Sequence, residues 1–254
     1  MTDDLLTVCA NVRRRVLSLG PQSVGRTAHY GGALSCVEIL VAGYSCYLRL
    51  SADDRNNERR DRFVLSKGHA CLALYATLIE LGLLDETDVG YENNGSPFAG
   101  HPVISRDHLL DFSTGSLGNG FAYALGAALA DKDRRVLAVI GDGELGEGII
   151  WECFRVAVQH NLSNLVAVID VNKLQQTGTT NHINGNIDLP VALAAFGWRV
   201  FTGNGHDVDF LVSTFKTVTA EKSSGSPSIL ICETIKGLGM GDLEGLVESH
   251  HAAI

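Results

Sequence analysis

The clearest pattern of hydrophobic and polar positions lies in the middle of the chain. Val136 to Ile140 is an unbroken apolar run rich in β-branched residues, which is typical of a short strand buried on both faces. From Glu147 to about Gln159 the apolar residues recur at helical spacing, and this pattern predicts an amphipathic helix. Leu165 to Ile169 is a second apolar run of strand length. The three segments therefore predict a strand, a helix and a second strand parallel to the first.

The same alternation of strand and helix patterns continues on both sides of this unit. Further strands are predicted at Phe63 to Leu65, Arg199 to Thr202 and Ser228 to Glu233. Further helices are predicted at Thr2 to Leu19, Cys36 to about Tyr47, Ala70 to about Leu84, Phe121 to Ala130, Pro190 to Phe196 and Val208 to Ala220. This order predicts one α/β domain over residues 1–254, with a doubly wound, mostly parallel sheet flanked by helices.

Three polar segments interrupt the pattern and are interpreted as loops. Thr27 to Ser35 is rich in glycine and opens an apolar helix that Ser35 could cap. Asp53 to Arg62 is a cluster of charged residues that we interpret as an exposed loop. Lys173 to Asp188 lacks periodicity and is long for a connection, which suggests a functional or mobile segment.

Composition narrows the class of protein without identifying its function. With 254 residues and 45% hydrophobic residues the chain can bury a sizeable core, and its net charge of −9 gives no support for nucleic-acid binding. The six cysteines are scattered and lack a C-x-x-C pair, which favours reduced, buried thiols over a disulfide or zinc framework. The N-terminus lacks a signal-peptide pattern, and no apolar run approaches the ~18 residues of a membrane span. We therefore expect a cytoplasmic protein.

A polar loop, Gly141-Asp142-Gly143, follows the first central strand. Open α/β sheets bind ligands beyond the carboxyl ends of their strands, and a helix that begins there directs free backbone N–H groups at an anion. The loop therefore predicts a phosphate site. The letters from Gly141 to Gly146 also read G-x-G-x-x-G, and Asp170 ends the next strand where a ribose-binding acid would lie. Taken alone, these features favour a nicotinamide or flavin dinucleotide.

The acidic residues of this loop argue against a dinucleotide. Asp142 lies between the glycines, with Glu144 and Glu147 close behind, so a bare pyrophosphate would meet like charges. Two unit charges ~4 Å apart repel by about 4 kcal/mol at an effective dielectric of 20. A divalent cation reverses this sign, because Mg²⁺ or Ca²⁺ binds carboxylate oxygens and substrate phosphates together. Asp142 can supply a carboxylate oxygen and Asn172 an amide oxygen, so the loop predicts a site for a metal and a diphosphate.

The spacing of these residues resembles a known cofactor motif. GDG at Gly141 to Gly143, followed after 28 residues by Asn172, resembles the thiamine diphosphate-binding motif, and GDGELGEGIIWE resembles its transketolase form. Val171 stands where the family has an Asn or Asp, a departure at one position. Other stretches resemble transketolases in the family's order: His29-Tyr-Gly-Gly, SKGH at Ser66 to His69, GHP at Gly100 to Pro102, TGSLGNG at Thr114 to Gly120, and ETIKGLG at Glu233 to Gly239.

The resemblance to transketolases implies thiamine diphosphate and Mg²⁺, or Ca²⁺, as cofactors. It implies that the metal is held by Asp142, Asn172 and the main-chain carbonyl of Leu174. The residues that it assigns to cofactor binding are His69, Gly115, Ser116, Leu117, Asp142, Gly143 and Asn172. The fold that it implies is the diphosphate-binding (PP-type) domain of this family.

The resemblance also implies a catalytic set. Its members are His29, His69, His101, His250 and Glu147. His29 and His250 would act on the substrate hydroxyl and carbonyl, which suits imidazoles because they exchange protons near neutral pH. Glu147 resembles a family acid that lies at a subunit interface and links two active sites. Since His251 is adjacent to His250, the spacing leaves open which of the two is functional.

A further implication concerns the rest of the active site. In transketolases a second domain supplies the glutamate and the aromatic pocket that serve the aminopyrimidine ring. The matched motifs fill this chain, so we expect the N-terminal subunit of a two-component transketolase. Its partner would carry the pyrimidine-binding and C-terminal domains, in an α2β2 heterotetramer. The complex would transfer a two-carbon ketol unit from a ketose or ketose phosphate to an aldose.

Three other functions stay open at this point. The same cofactor could serve ketol or acyl transfer to a non-sugar or carrier-bound acceptor, because the acceptor pocket would lie in the partner. A dinucleotide-dependent oxidoreductase would use the G-x-G-x-x-G letters alone. A non-catalytic subunit could keep the fold, although the intact Asp142, Asn172 and loop histidines argue against it.

Overall fold

A computed structural model describes residues 2–23, 25–86, 90–221 and 225–254 of the chain. These residues form a five-stranded sheet. Its strands are β1 (Arg62–Leu65), β2 (Val136–Gly141), β3 (Leu165–Val171), β4 (Arg199–Asn204) and β5 (Ser228–Glu233). Neighbours in the order β1-β2-β3-β5-β4 all pair in parallel. The predicted α/β class and the predicted strands are confirmed.

The central strands are buried on both faces. Leu137 and Val139 of β2 pack into one hydrophobic cluster, and Ala138 and Ile140 pack into a second cluster on the other side of the sheet. This separation arises because successive side chains of a strand point to opposite faces. The unbroken apolar run therefore has a physical reason, since neither face of β2 meets solvent.

Helices cover both faces of the sheet, as a doubly wound fold requires. One face is covered by α1 (Thr2–Leu19), α3 (Val37–Ala42), α4 (Cys71–Glu80) and α9 (Val208–Ala220). The other is covered by α5 (Asn119–Ala130), α6 (Gly148–Gln159) and α8 (Leu189–Phe196). Two shorter helices are α2 (Tyr30–Leu34) and α7 (Thr180–Asn184). The predicted long helices are confirmed within a few residues at most of their ends.

The glycine-rich segment at residues 27–35 differs from its prediction as a loop, because it contains α2. All residues of α2 are buried, so tertiary packing stabilises a helix that its two glycines would disfavour in isolation. Ser35 does not cap α3; its hydroxyl donates instead to Asp170 Oδ2 at 2.6 Å, and its oxygen lies 3.0 Å from the Gly32 carbonyl oxygen. The side chain expected to be a helix cap therefore belongs to a buried polar network.

Two other segments also differ from their predictions. The loop predicted at residues 173–188 contains α7, whose first turn is capped because Thr179 Oγ1 accepts a hydrogen bond from the His182 N–H. The helix predicted to run through Tyr47 is α-helical only to Ala42 and continues as a π-helical turn. A single capping side chain or a local change of winding leaves no clear trace in hydrophobic periodicity.

The charged segment at residues 53–62 is not fully exposed, which corrects its interpretation as an exposed loop. Arg60 and Asp61 are 5% and 1% exposed. Arg60 forms a buried ion pair with Asp111, and Asp61 accepts hydrogen bonds from Arg49. Burial is possible here because each charge meets a partner that is distant in the sequence.

The cysteines agree with the prediction of reduced, buried thiols. All six are free, and Cys46 alone among them is not fully buried. Among the described helices, none combines the length and the hydrophobicity needed to cross a bilayer.

Replacing Gly120 should destabilise the fold, because α5 meets the loop after β1 at this glycine. A Cβ at this position would lie 2.7 Å from the Cα of Ser66, which is backbone and cannot easily move. We expect Gly120→Ala to lower the free energy of unfolding by about 1–3 kcal/mol, measured by chemical denaturation. Gly126→Ala on the same helix is the matched control, since its Cβ would meet no atom within 4 Å. Equal stability of the two variants would contradict the packing argument.

Candidate active site

The loops that follow β1, β2, β3 and β5 meet at one edge of the sheet. Because the strands are parallel, their carboxyl ends lie side by side, with Gly141 paired to Asp170 and Val171 to Glu233. A cavity of about 320 Å³ opens at this edge. It is lined by residues from these loops, from the end of β2 and from neighbouring segments that include α2: His29, Gly32, Lys67, His69, His101, Gly115, Leu117, Gly141, Asp142, Gly143, Glu144, Asn172, Leu174, Gln175, Gln176, Lys236 and His250.

The carboxylate of Asp142 is buried in the wall of this cavity. Its Oδ2 accepts hydrogen bonds from the Lys173 N–H at 2.7 Å and the Thr180 hydroxyl at 3.0 Å, and its Oδ1 accepts one from the Gly143 N–H at 2.9 Å. Burial, together with the negative charge of Asp170, raises the pKa of Asp142. A cation beside this carboxylate would therefore be favourable, because it would offset both effects.

The carbonyl oxygens of Leu174 and Gln175 already face a positive charge. The Lys236 ammonium donates to them at 3.2 Å and 3.0 Å. Asn172 Oδ1 lies beside them and accepts a hydrogen bond from the Leu174 N–H at 3.1 Å. Together with Asp142, this loop presents carboxylate, amide and carbonyl oxygens to one cavity.

These oxygens fit a hard divalent cation bound together with phosphate. Within the described ranges, no three His, Cys, Asp or Glu side chains cluster as metal ligands. A metal at this site would therefore use the mixed oxygen set of Asp142, Asn172 and Leu174. Mg²⁺ is commonly bound in this way, by one or two carboxylates with phosphate oxygens and water completing its coordination.

Lys67, in the loop after β1, forms a buried ion pair with Asp170 at the end of β3. Their side chains are 1% and 0% exposed. Asp170 also accepts hydrogen bonds from the hydroxyls of Ser35 and Thr234. Burial alone would lower the pKa of Lys67, but the Asp170 carboxylate raises it. The Asp170 carboxylate is fully engaged by these three side chains, so it is not available to bind a ribose. The residue that favoured a dinucleotide therefore has a structural role instead.

Glu144 organises the backbone around the cavity. It is buried and accepts hydrogen bonds from the Ser66 hydroxyl, the Gly118 N–H at 2.7 Å and the Gly141 N–H at 3.2 Å. These contacts join the loops after β1 and β2 to the start of α5. Through these contacts Glu144 positions the loops around the cavity.

Four other histidines surround His29. The ring centres of His69, His101, His250 and His251 lie 5.9, 5.7, 5.3 and 4.6 Å from its own. The first three line the cavity together with His29, whereas His251 is exposed. Of the two adjacent histidines that the sequence left open, His250 is therefore the one on the cavity.

The four imidazoles that line the cavity favour the neutral form. Burial, followed by the neighbouring imidazoles, lowers the pKa of His29 to about 4. Burial, followed by the positive charge of Lys236, lowers the pKa of His250 to about 4. Burial also lowers the pKa of His69 and of His101. Neutral imidazoles can both donate and accept a proton, so the cavity offers several groups suited to proton transfer.

Two predicted site residues lie outside the cavity. Ser116 is exposed, although its neighbours Gly115 and Leu117 line the cavity. Glu147 is exposed and immediately precedes α6. An exposed acid at this position is compatible with an interface role, but it does not contact the space enclosed by this chain.

The anion site is also built differently from its prediction. α6 begins at Gly148, and its first residues do not line the cavity. A 3-10 turn, Gly143–Gly146, separates the helix from the end of β2 and places Gly143 and Glu144 on the cavity instead. Positive charge at the cavity therefore comes from lysine side chains rather than from the end of this helix.

Two lysines of the cavity, Lys67 and Lys236, were not predicted as site residues. Burial lowers the pKa of Lys236 to about 8, and its ammonium lies 3.2 Å from His250 Nδ1. Both lysines follow closely after the carboxyl end of a parallel strand, beside glycine. This position in the sequence could have identified them as site residues, because a cation at the ligand-binding edge of the sheet suits an anionic ligand.

Comparison with known proteins agrees with this geometry. Residues 8–254 match the family described as transketolase, thiamine diphosphate binding domain. The chain belongs to the transketolase family. An apulose-4-phosphate transketolase subunit of Phocaeicola vulgatus is 38% identical over 232 residues, which cover 89% of this chain and 81% of that protein. The 6-deoxy-6-sulfo-D-fructose transketolase subunit SqwG of a Clostridium species is 38% identical over 253 residues, which cover 95% of this chain and 89% of that protein.

Solved transketolases share the fold. The transketolase of Pichia stipitis superimposes with a TM-score of 0.90 at 25% sequence identity. The superposition covers 100% of this transketolase chain and 39% of the solved one. The chain therefore spans about two fifths of the length of that enzyme.

The partly buried histidines of the cavity should make the stability of this transketolase chain fall with acidification. The pKa of His29 is about 4 in the folded chain and 6.5 for an ordinary histidine, so between these values only the unfolded chain takes up the proton. Stability is therefore lost as the pH falls through this window. We expect His29→Gln to reduce that pH dependence, measured by thermal denaturation at constant ionic strength. His160→Gln, at an exposed position, is the control, and an unchanged slope for His29→Gln would contradict the assignment.

Proposed function

We propose that this chain is the N-terminal subunit of a two-component, thiamine diphosphate-dependent transketolase. In this proposal it binds the diphosphate and the metal, and a separate subunit supplies the pyrimidine-binding and C-terminal domains. Two copies of each subunit would form an α2β2 heterotetramer. The reaction is transfer of a two-carbon ketol unit from a ketose or ketose phosphate to an aldose.

The composition of the cavity is the observation that carries this proposal. Oxygen ligands and two lysines suit a metal and a diphosphate, whereas no Phe, Tyr or Trp among the described residues lines the cavity to hold an aminopyrimidine ring. Glu144, a cavity glutamate, is occupied by the Ser66 hydroxyl and two backbone N–H groups. The groups that serve the ring in transketolases would therefore come from the partner subunit.

The metal and diphosphate would occupy the part of the cavity near Asp142. Asp142, Asn172 and the Leu174 carbonyl would hold Mg²⁺ or Ca²⁺, and Gly143 would offer its N–H to the diphosphate. Lys236 lies close enough to these oxygens to contact the diphosphate as well. Two ammonium groups alone do not outnumber the carboxylates of Asp142, Glu144 and Asp170, so a diphosphate would need the added cation.

The histidines and the loop at residues 115–117 would contact the reacting part of the cofactor and the substrate. When bound, thiamine diphosphate supplies an electron sink for breaking a carbon–carbon bond beside a carbonyl. His29 and His250 would exchange protons with the substrate hydroxyl and carbonyl, and His101 would bind the sugar. His69 would contact the diphosphate or the ketose. Glu147 would lie at a subunit interface, where its exposed carboxylate could link two active sites.

The names of the relatives favour ketose substrates. One is named an apulose-4-phosphate transketolase and the other a 6-deoxy-6-sulfo-D-fructose transketolase. Both relatives are also named as transketolase subunits, and this chain covers more than four fifths of each. These names support a sugar donor and a partner subunit for the present chain.

Removing the proposed metal ligand should abolish metal-dependent cofactor binding. We expect Asp142→Ala to weaken Mg²⁺-dependent binding of thiamine diphosphate to the complex by more than about 100-fold, because a carboxylate ligand contributes more than a supporting residue. Calorimetry on the complex with its partner measures this effect. Glu152→Gln, an exposed acid on α6, is the control. Unchanged affinity in Asp142→Ala would remove the ligand assignment.

The chain by itself should not catalyse ketol transfer. We expect no turnover of ketose and aldose with thiamine diphosphate and Mg²⁺ until the pyrimidine-binding subunit is added. Light scattering on the active complex should then give the mass of an α2β2 assembly. Turnover by the isolated chain would overturn the two-component proposal.

A further inference from the structure

A second cavity, of about 340 Å³, lies at the opposite edge of the sheet from the candidate active site. Arg62 begins β1, and Arg134 lies two residues before the start of β2. The cavity is therefore at the amino ends of these strands, whereas the candidate active site is at their carboxyl ends. Five of its lining residues are arginines: Arg55, Arg60, Arg62, Arg106 and Arg134.

The carboxylates of this arginine cavity do not balance its positive charge. Asp111 accepts a bidentate contact from Arg60 at 2.5 and 2.9 Å and a hydrogen bond from the Phe63 N–H at 3.1 Å. Glu58 is an exposed residue of the rim, 3.9 Å from Arg106. The charge of Asp111 is thus already paired with Arg60, and the exposed Glu58 forms only a weak ion pair with Arg106.

Two of the guanidinium groups retain unused donors. The Nε atoms of Arg55 and Arg134 are buried and have no hydrogen-bond partner. Arg134 otherwise donates to the Glu58 carbonyl at 2.6 Å and lies 3.6 Å from Asp131. Buried polar groups normally have partners, so the chain itself leaves these two guanidinium groups incompletely satisfied.

Arg62 also lies in an environment with an excess of positive charge. Its guanidinium lies 3.5 Å from Asp111 and donates to the carbonyls of Arg60 and Glu58. Burial lowers the pKa of Arg62, and the positive charges of Arg60 and Arg134 lower it further against the effect of Asp111. An anion in the cavity would relieve this repulsion.

One wall of the arginine cavity is apolar. Tyr123 lines it and is stacked on Phe112, with ring centres 4.2 Å apart. Leu110 and the exposed Ile104 complete this side. The cavity therefore combines many cationic donors with a smaller apolar surface that an organic group could contact.

We propose that this cavity binds a small phosphate-bearing anion, either inorganic phosphate or a phosphorylated metabolite. Arg55, Arg62 and Arg134 would hold the phosphoryl group, and Arg106 would close over it from the rim. Planar guanidinium groups match phosphate oxygens in geometry and charge. A cavity of about 340 Å³ suits a small molecule rather than an extended polyanion. The proposal is independent of the transketolase activity, because it concerns the other edge of the sheet.

Thermal denaturation of the full chain in inorganic phosphate, compared with sodium chloride at equal ionic strength, tests the proposal. We expect a saturable rise of the melting temperature that occurs with phosphate alone. Arg55→Gln and Arg106→Glu should each weaken the apparent affinity at least tenfold; the Arg106 side chain is 76% exposed, so its replacement should not affect folding. Arg59→Gln, an exposed arginine of the same segment that does not line the cavity, is the matched control. An equal rise in chloride, or unchanged affinity in both cavity variants, would overturn the proposal.

A second titration, with ribose 5-phosphate, distinguishes the two sources of the phosphoryl group. Tighter binding than inorganic phosphate, lost in Arg106→Glu, would identify a phosphorylated metabolite whose organic part contacts Tyr123. Equal affinities that are both weakened in Arg106→Glu would identify inorganic phosphate. A ribose 5-phosphate effect that Arg55→Gln and Arg106→Glu both leave unchanged would place its binding outside this cavity and count against the proposal.

Discussion

The buried ion pair between Lys67 and Asp170 is the interaction on which the candidate active site depends. It joins the loop after β1 to the end of β3, and the hydroxyls of Ser35 and Thr234 attach two further loops to the same carboxylate. Removing one member of such a pair costs about 3–5 kcal/mol, because the other charge is left buried and uncompensated. The pair therefore holds four separate segments of the chain at one edge of the sheet.

The chemistry of the cavity follows from this arrangement. Asp142 and the carbonyls near it present oxygens that attract a cation, and the ammonium of Lys236 lies on the same wall. Beside this wall, burial lowers the pKa of His29 and of His250, and the positive charge of Lys236 lowers both further. A metal, an anionic ligand and neutral proton carriers can thus be accommodated in adjacent parts of one space.

The elements that could be predicted are those whose pattern is local. β2 and β3 show unbroken apolar runs because both of their faces are buried, and α1, α6 and α9 show helical periodicity because one face of each packs on the core. α2 and α7 could not be predicted, since burial between other elements stabilises the first and one threonine cap begins the second. The charged segment at residues 53–62 is partly buried, contrary to its pattern, for a related reason. Its buried charges are neutralised by residues that lie far away in the sequence, such as Asp111.

By itself the sequence determined the parallel α/β order, the strand-end loops, and the Asp142–Asn172 spacing that indicates a metal and a diphosphate. These are properties of neighbouring residues, and hydrophobic periodicity and spacing report them directly. Only the tertiary structure decided that Lys67 forms an ion pair with Asp170 and that His250, rather than the residue after it, lines the cavity. Both outcomes depend on which distant loops come into contact, and no local pattern carries that information.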